Sequence, residues 1–195
     1  MSALRPALLA GGLAALAGAL IAIAATAAGA PDVPASDATA QPSRARAQVE
    51  REVLSVSDGD SFAIRTPNDP RQRIRIAGID APEADQPFGD AARAHLSELL
   101  SRTPLRIEAV KTDPFGRLVA NVYAGDTDVG LAMVEAGLAW HFKRYAKDQT
   151  AAQRARYAAA ERRARAARAG LWAAPDPVPP WTYRATQARS SDPRP

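Results

Sequence analysis

Two carboxylates flank a glycine in the run Asp58-Gly59-Asp60-Ser61, which reads as a sharp acidic turn between two short apolar runs. Carboxylate oxygens are the ligands that hard divalent cations take in proteins, so the turn is a candidate metal-binding element. An EF-hand loop would need Asp or Asn at position 62, where the chain has Phe62. Taken alone, the turn also fits an ordinary hairpin, because Asp and Gly are common turn residues.

A second group of charged residues lies in the run RIAGIDAPE, which extends from Arg75 to Glu83. Alternation of charged and apolar residues predicts a strand that carries Arg75 on one face and ends at Asp80. Pro82 stiffens the exit from the strand, and Glu83 follows closely. Two carboxylates and an arginine at one strand end can serve a metal ion and a phosphate together. They can also simply pair with one another on a surface strand.

A third segment, Asp113-Pro114-Phe115-Gly116-Arg117, reads as a tight turn before a strand that begins at Arg117. By itself this is a common hairpin entry, and Arg117 would be an ordinary surface residue. An arginine pair nevertheless suits a phosphate, because the planar guanidinium donates two parallel hydrogen bonds that a lysine ammonium cannot copy. The three segments could therefore serve a cation and a phosphate if the fold brings them together.

The elements that would position these residues follow from hydrophobic periodicity. Short alternating segments predict five strands, with one helix after the third strand and two helices after the fifth. The strands are expected near residues 53–56, 62–64, 73–79, 105–109 and 118–124, and the helices near 91–100, 129–139 and 150–169. This order fits a mainly β, α+β fold: a five-stranded Greek-key barrel of the OB type with about three α-helices.

The chain divides into four segments by composition. An uncharged run from Pro6 to Pro31 is long enough for a signal peptide or an uncleaved membrane anchor, and small residues at Ala25 and Ala27 favour cleavage. Either interpretation places the folded domain outside the cytoplasm. The predicted segments are a targeting segment at 1–30, a disordered linker at 31–49, the folded domain at 50–172, and a Pro- and Arg-rich tail at 173–195.

Composition excludes some chemistry and leaves one question open. The 195-residue chain has no cysteine, which excludes a thiolate nucleophile, a Cys-ligated zinc and a disulfide. Residues 149–195 carry nine arginines against three acids, a net +6, whereas residues 51–148 carry 13 basic and 15 acidic residues. The basic segment either attracts polyanions or forms a solvated helix, and the second reading is favoured.

Taken in order, the three charged segments resemble the staphylococcal nuclease (thermonuclease-like) family, in a bacterial exported form. That family has D-G-D-T on its first hairpin, R-L-x-G-I-D-A-P-E after its third strand and D-x-Y-G-R before its fifth. The present chain reads DGDS, RIAGIDAPE and DPFGR at the corresponding places. The similarity covers roughly residues 51–172 and includes the later runs VEAGLAW and GLW.

The resemblance implies an OB barrel that binds one calcium ion and hydrolyses phosphodiester bonds. It assigns the carboxylates of Asp60 and Asp80 and the carbonyl of Ala81 to the metal, with Asp58 behind them. It assigns proton transfer to Glu83. By the same resemblance Arg75 and Arg117 bind the phosphate, while Phe115 and Tyr145 lie near the nucleotide. We expect these charged residues to form surface rather than core, so that replacing Arg75 leaves folding nearly unchanged.

The chain departs from the family pattern at several positions. Pro114 and Phe115 stand where the best-known member has Lys and Tyr, so a charge and a phenol hydroxyl are lost. Ser61 and Ala81 stand where Thr is common, and the loop 84–89 is shorter. A carbonyl ligand does not depend on its side chain, so these changes bear on substrate affinity more than on the reaction.

The resemblance therefore implies a calcium-dependent, monomeric endonuclease that acts on single-stranded or unpaired DNA or RNA and leaves 3′-phosphate ends. We expect it to be periplasmic or secreted, or anchored in the inner membrane through residues 6–30 and facing outward. The alternative is a catalytically weak OB-fold module that binds nucleic acid or protein at the cell envelope. Filled acidic and arginine positions favour the enzyme.

Overall fold

The computed structural model describes residues 52–101 and 104–190, which contain eight strands, four α-helices and two 3-10 segments. The strands are β1 (Glu52–Val56), β2 (Ser61–Thr66), β3 (Asp69–Ile76), β4 (Ile79–Asp80), β5 (Leu105–Thr112), β6 (Leu118–Ala124), β7 (Thr127–Asp128) and β8 (Trp140–His141). The helices are α1 (Gly89–Ser101), α2 (Val129–Glu135), α3 (Ala151–Ala166) and α4 (Pro180–Ser190), with 3-10 segments at Lys143–Asp148 and Gly170–Ala173. The predicted targeting segment 1–30 and linker 31–49 lie outside the described residues.

The main sheet runs in the order β1-β2-β3-β6-β5, with β7 added to β6. Its pairs are antiparallel except β3 and β6, which run parallel with Arg75 opposite Val119. The architecture confirms the predicted α+β class and is consistent with an OB-type fold. Because β3 and β6 are adjacent, the strand that carries Arg75 lies beside the strand that Arg117 precedes.

The core lies between this sheet and helices α1 and α2. Apolar residues of α1 recur at helical spacing, and Leu96 and Leu99 are buried against strand residues such as Ile76. Asp128 caps α2 by accepting a hydrogen bond from the backbone NH of Leu131 at 3.1 Å. The strands that carry the charged site residues therefore pack on an apolar core shared with α1 and α2.

The predicted third strand, 73–79, is not continuous in the structure. Gly78 has a φ of +76°, which breaks the extended backbone, and β4 begins at Ile79 as a separate short strand. β4 pairs antiparallel with β8, placing Asp80 opposite Trp140. Because the chain turns at Gly78, Asp80 does not continue β3, and it is completely buried.

Residues beyond 172 contain α4, a helix that the prediction of about three helices did not include. α4 begins at buried Pro180. The next residue, Trp181, stacks on Phe142 with ring centroids 5.3 Å apart, and its ring centroid lies 5.5 Å from that of Trp140. Trp140 also contacts Trp172 edge-on at 4.3 Å. The described part of the predicted tail is therefore packed against β8. In the residues that the structure describes, no helix is both long and apolar enough to cross a membrane.

Replacing Gly137 with alanine is expected to destabilise the domain strongly. Gly137 has a φ of +68°, and a Cβ there would lie 2.2 Å from the carbonyl oxygen of Ala169. Gly125 is a matched control, because its φ is +59° but a Cβ would meet nothing within 4 Å. We expect Gly125→Ala to cost about 1 kcal/mol of backbone strain and Gly137→Ala at least about 2 kcal/mol more. Equal unfolding free energies for both variants in urea would contradict the contact.

Candidate active site

The acidic turn between β1 and β2 is held close to the rest of the fold by Gly59. A Cβ at Gly59 would lie 2.6 Å from the Cβ of Ala92 on α1 and 2.7 Å from that of Ala81, so only glycine fits. The carboxylate of Asp58 accepts a hydrogen bond from the backbone NH of Asp60 at 3.0 Å. The glycine therefore brings both carboxylates against the segment that follows β4.

Asp60 is the residue that joins the turn to β4. Its Oδ2 accepts a hydrogen bond from the backbone NH of Ala81 at 2.7 Å, and its Oδ1 accepts one from the hydroxyl of Ser61 at 2.8 Å. Ser61, at the position where Thr is common in the family that the sequence resembles, thus fixes Oδ1 of Asp60 through its hydroxyl. The carboxylate of Asp60 is 4% exposed and fixed on both oxygens.

Arg75 links the two acidic segments through one guanidinium. Its Nη1 lies 2.6 Å from Asp60 Oδ2, and its Nη2 lies 2.7 Å from Asp80 Oδ1. Asp80 is fully buried and the side chain of Arg75 is only 14% exposed. The expectation that these groups form open charged surface is therefore wrong, because β4 folds under the end of β3. A change at Arg75 must affect stability as well as any chemistry.

Burial shapes the ionisation of this acidic group. Desolvation, together with the negative charge of Asp60, raises the pKa of Asp58 to about 7. Desolvation also raises the pKa of Asp80, although the guanidinium groups of Arg184 and Arg75 oppose the shift. Burial therefore favours the neutral form of both carboxyls, and their cationic partners favour the ionised form.

Glu83 lies on the loop after β4 and lines the same cleft as Asp60 and Asp80. Its backbone NH donates to the side-chain oxygen of Gln86 at 3.2 Å, which fixes the start of the loop. The side chain of Glu83 is 32% exposed, far more than that of Asp80. Its carboxylate can therefore reach water that enters the cavity, as a group that accepts a proton must.

Arg117 is positioned by the turn between β5 and β6. Asp113 accepts hydrogen bonds from the backbone NH of Arg117 at 2.9 Å and from its Nε at 2.7 Å. Burial opposes ionisation of Asp113, but these bonds and the charge of Arg117 hold its pKa below the usual value. The ion pair uses Nε and so leaves the two Nη groups for a phosphate. At the tip of the turn, Phe115 is 71% exposed and stands beside the guanidinium of Arg117.

One cleft of about 900 Å³ collects the candidate residues from all three segments. Tyr145, 44% exposed, enters it from the 3-10 segment after β8, with the ammonium of Lys111 4.6 Å from its ring centre. The predicted residues that line the cleft are Asp58, Asp60, Arg75, Asp80, Ala81, Glu83, Phe115, Arg117 and Tyr145. The structure thus brings together every site residue that the sequence predicted.

The residues present fit a hard cation by donor chemistry. Asp60 and Asp80 offer carboxylate oxygens bridged by a single guanidinium, and Ala81, which lines the same cleft, has a backbone carbonyl as a further oxygen donor. Within residues 52–101 and 104–190, no group of three or more acidic or histidine side chains is placed so that it could hold a metal ion by itself. Any ion held here would therefore take backbone, water or substrate oxygens to complete its coordination.

Sequence reasoning missed Arg184, which reaches the site from α4. Its Nη2 lies 2.9 Å from Asp80 Oδ2, and its Nη1 lies 2.5 Å from Glu83 Oε1. One signal was available: Pro179 and Pro180 mark a helix start, and Trp181 and Arg184 are three residues apart. Nothing in that pattern, however, says which surface the helix covers.

Several arginines of the basic α3 segment make structural contacts. Arg154 donates to the carbonyl of Gln149 at 2.7 Å, and Arg163 pairs with Glu135 at 2.8 Å. Arg165 lies 3.5 Å from Glu161, with its guanidinium 4.0 Å from the ring centre of Trp172. These contacts favour the reading of a structural, solvated helix over a polyanion-binding one.

Comparison with known proteins agrees with this geometry. Residues 73–174, about half of the chain, match the family described as Staphylococcal nuclease homologue. The chain is 37% identical over 142 residues to the micrococcal nuclease of Shigella flexneri, covering 68% of this chain and 79% of that protein. It is 33% identical over 141 residues to an uncharacterized endonuclease of Escherichia coli O157:H7, covering 71% and 86%.

The fold and the cleft are those of a nuclease-like OB protein, and the family match over residues 73–174 identifies the family. The chain belongs to the staphylococcal nuclease family. It is also 38% identical over 135 residues to a protein of Oryza sativa subsp. japonica named Probable staphylococcal-like nuclease, covering 69% of this chain. The chain spans only about a third of that plant relative's length.

Proposed function

We propose that this protein is a calcium-dependent nuclease that hydrolyses phosphodiester bonds in DNA or RNA. The observation that carries the proposal is the cleft in which Arg75 bridges Asp60 and Asp80, with Glu83 and Arg117 on the same walls. Carboxylates and guanidinium groups converging in one cleft suit an anionic substrate and a cation together.

The two arginines bind and orient the phosphate. Arg117 is fixed by Asp113 through Nε, so its Nη groups can donate to the non-bridging oxygens. Arg75 is held by Asp60 and Asp80, and its buried Nη1 makes no hydrogen bond of good geometry within the described residues. Charge accumulates on the non-bridging oxygens in the transition state, so donors fixed beforehand stabilise it more than the ground state.

Glu83 takes the proton of the attacking water. Water oxygen forms a bond to phosphorus as the bond from phosphorus to the 5′ oxygen breaks, and the proton of the water passes to the Glu83 carboxylate. The leaving 5′ oxygen takes up a proton from solvent, and the phosphate stays on the 3′ oxygen. The partial exposure of Glu83 allows the proton to return to bulk water.

Asp60, Asp80 and the Ala81 carbonyl would hold the calcium ion. When bound, calcium supplies positive charge against the phosphate and activates the nucleophile. An irregular oxygen donor set suits calcium better than magnesium, which demands a tight octahedron. The three protein ligands lie on the short turn after β1 and the end of β4, so their spacing depends on Gly59 and on the β4–β8 pair.

We infer further that the substrate is single-stranded or unpaired nucleic acid, cut internally by a monomer. Exposed Phe115 and Tyr145 can stack on unpaired bases at the cleft. We also propose export, to the periplasm or medium or as an outward-facing anchored form. The support is the uncharged run from Pro6 to Pro31 and the small residues before it ends.

Release of acid-soluble nucleotides from heat-denatured DNA tests the enzyme reading. We expect release with calcium, none with excess chelator, and products whose 3′ ends carry phosphate. The rival is a non-cutting OB module, which the exposed aromatic residues alone would also suit. Retention of labelled single strands without any release, in calcium, would favour that rival over the nuclease.

Replacing Phe115 with alanine is expected to raise KM and leave kcat unchanged. Its ring is 71% exposed at the edge of the cleft, so it contributes a stacking surface and no charge. Loss of one stacking contact of about 1 kcal/mol corresponds to a KM increase of about fivefold. Phe115→Trp keeps an aromatic face and should retain the parent KM. An unchanged KM in Phe115→Ala on single-stranded DNA would remove Phe115 from the binding surface.

A further inference from the structure

Helix α4 delivers a positive charge to the centre of the cleft. Arg184 contacts both oxygens of Asp80, with Nη2 2.9 Å from Oδ2 and Nη1 3.3 Å from Oδ1. The same Nη1 lies 2.5 Å from an oxygen of Glu83. One side chain from outside the matched family region, 73–174, therefore engages a proposed metal ligand and the proposed proton acceptor at once.

The position of Arg184 is determined by how α4 is seated. Trp181 stacks on Phe142 with ring centroids 5.3 Å apart and an interplanar angle of 30°. Residues three apart share one face of a helix, so seating Trp181 turns Arg184 toward Asp80. Two hydrogen bonds tie the segment to the loop after β4: Gln86 Nε2 to the Val178 carbonyl at 2.6 Å, and the Tyr183 hydroxyl to the Asp85 carbonyl at 3.3 Å.

The contacts of Arg184 conflict with the roles proposed for Asp80, as a calcium ligand, and for Glu83, as a proton acceptor. A carboxylate that ligates a cation must let the ion approach an oxygen, whereas a guanidinium lies at each oxygen of Asp80: Arg75 at Oδ1 and Arg184 at Oδ2. A carboxylate that accepts a proton from water must be free to approach the water, whereas Glu83 is held by Nη1. A fixed positive charge at this position also repels an entering divalent cation.

We propose that α4 is an autoinhibitory segment in which Arg184 is an internal cation that competes with calcium for Asp80 and occupies Glu83. The inference rests on the proposed calcium site. Calcium binding then requires α4 to lift, which frees both carboxylates and uncovers the wall of the cleft formed by Trp181. The side chain of Arg184 is 47% exposed and that of Asp80 only 1%, so the departure of Arg184 gives up its bonds to a buried carboxylate, which calcium then replaces.

The size of the effect follows from population arithmetic. If α4 is seated in about 90–99% of molecules, the apparent affinity for calcium falls about 10- to 100-fold below that of the open form. Loss of the guanidinium removes the competitor and most of this penalty. Loss of the aromatic anchor lowers the seated fraction without touching either carboxylate.

Calorimetric titration of the metal-free full chain with calcium alone tests the proposal. We expect Arg184→Gln to bind calcium at least about 10-fold more tightly than the parent, and Trp181→Ala to shift in the same direction. Arg189→Gln is the matched control, since Arg189 lies on the exposed last turn of α4 and should leave the affinity unchanged. Amide hydrogen exchange over 180–190 should become faster in the parent when calcium is added.

The outcomes separate the competing explanations. Equal or weaker calcium binding by Arg184→Gln would overturn the autoinhibitory contact while leaving the calcium site of the proposed function intact. Slower exchange over 180–190 in calcium would also overturn it, because α4 would then be part of the bound form. Absence of calcium binding in the parent and in both variants would remove the calcium site and this inference together.

Discussion

Arg75→Lys is expected to lower kcat at least about 100-fold on single-stranded DNA. Lysine keeps the charge but has one nitrogen, so it cannot contact Asp60 and Asp80 as Nη1 and Nη2 do and still orient a phosphate. Loss of one fixed transition-state donor costs about 10²–10³ in rate. Because the arginine is nearly buried, we also expect a loss of about 1–3 kcal/mol in the free energy of unfolding.

Arg71→Lys is the matched control for this experiment. Arg71 lies on the same strand and the same face, four residues before Arg75, and its Nη2 donates to the hydroxyl of Ser55 at 3.2 Å. We expect the control to retain kcat within about twofold. Steady-state kinetics should be compared at a temperature where both variants are folded by circular dichroism. A parent-like kcat in folded Arg75→Lys would exclude Arg75 as a transition-state ligand.

Asp80→Asn is expected to abolish both calcium-dependent activity and stabilisation by calcium. Asp80 is completely buried, and its replacement removes one of the two carboxylates available to the ion. At 100 times its dissociation constant, calcium stabilises a binding protein by about 2.7 kcal/mol, or about 5–10 °C in Tm for a domain of this size. We expect that calcium-induced shift to disappear and kcat to fall at least about 1,000-fold.

Asp60→Asn should reproduce the result, whereas Asp126→Asn should not. Asp126 is an exposed acid in the turn between β6 and β7, away from the residues that line the cleft. Thermal unfolding with calcium and with chelator measures the shift for each variant. A calcium shift in Asp80→Asn as large as that of the control would contradict the assignment of Asp80 to the ion, whatever the effect on activity.

Local patterns in the sequence predicted the five longer strands, and they picked out the charged segments that hold the candidate site residues. Alternation of charged and apolar residues marked β3, and helical spacing of Leu96 and Leu99 marked α1. The order of DGDS, RIAGIDAPE and DPFGR carries the resemblance to the staphylococcal nuclease family, and that resemblance selected Asp60, Arg75, Asp80 and Arg117. These signals are local in the chain, because a side chain's position on a strand or turn depends on its immediate neighbours.

Tertiary structure decided how deeply the site is buried. In the sequence, Asp80 reads as the exposed end of a strand. In the fold, Gly78 breaks that strand, and the β4–β8 pair places Asp80 opposite Trp140 with no exposure. The burial comes from residues about 60 positions away, a separation that no periodicity in a single segment encodes.

The position of Arg184 was likewise decided only by the tertiary structure. In the sequence it is one of nine arginines in a basic segment, and its three-residue spacing from Trp181 does not say which surface the helix covers. It meets Asp80 across 104 residues because Trp181 finds a stacking surface on Phe142 and the helix geometry turns Arg184 inward. Residue type and spacing therefore predicted which groups are candidates for chemistry. Long-range packing determined which of those groups are paired with one another.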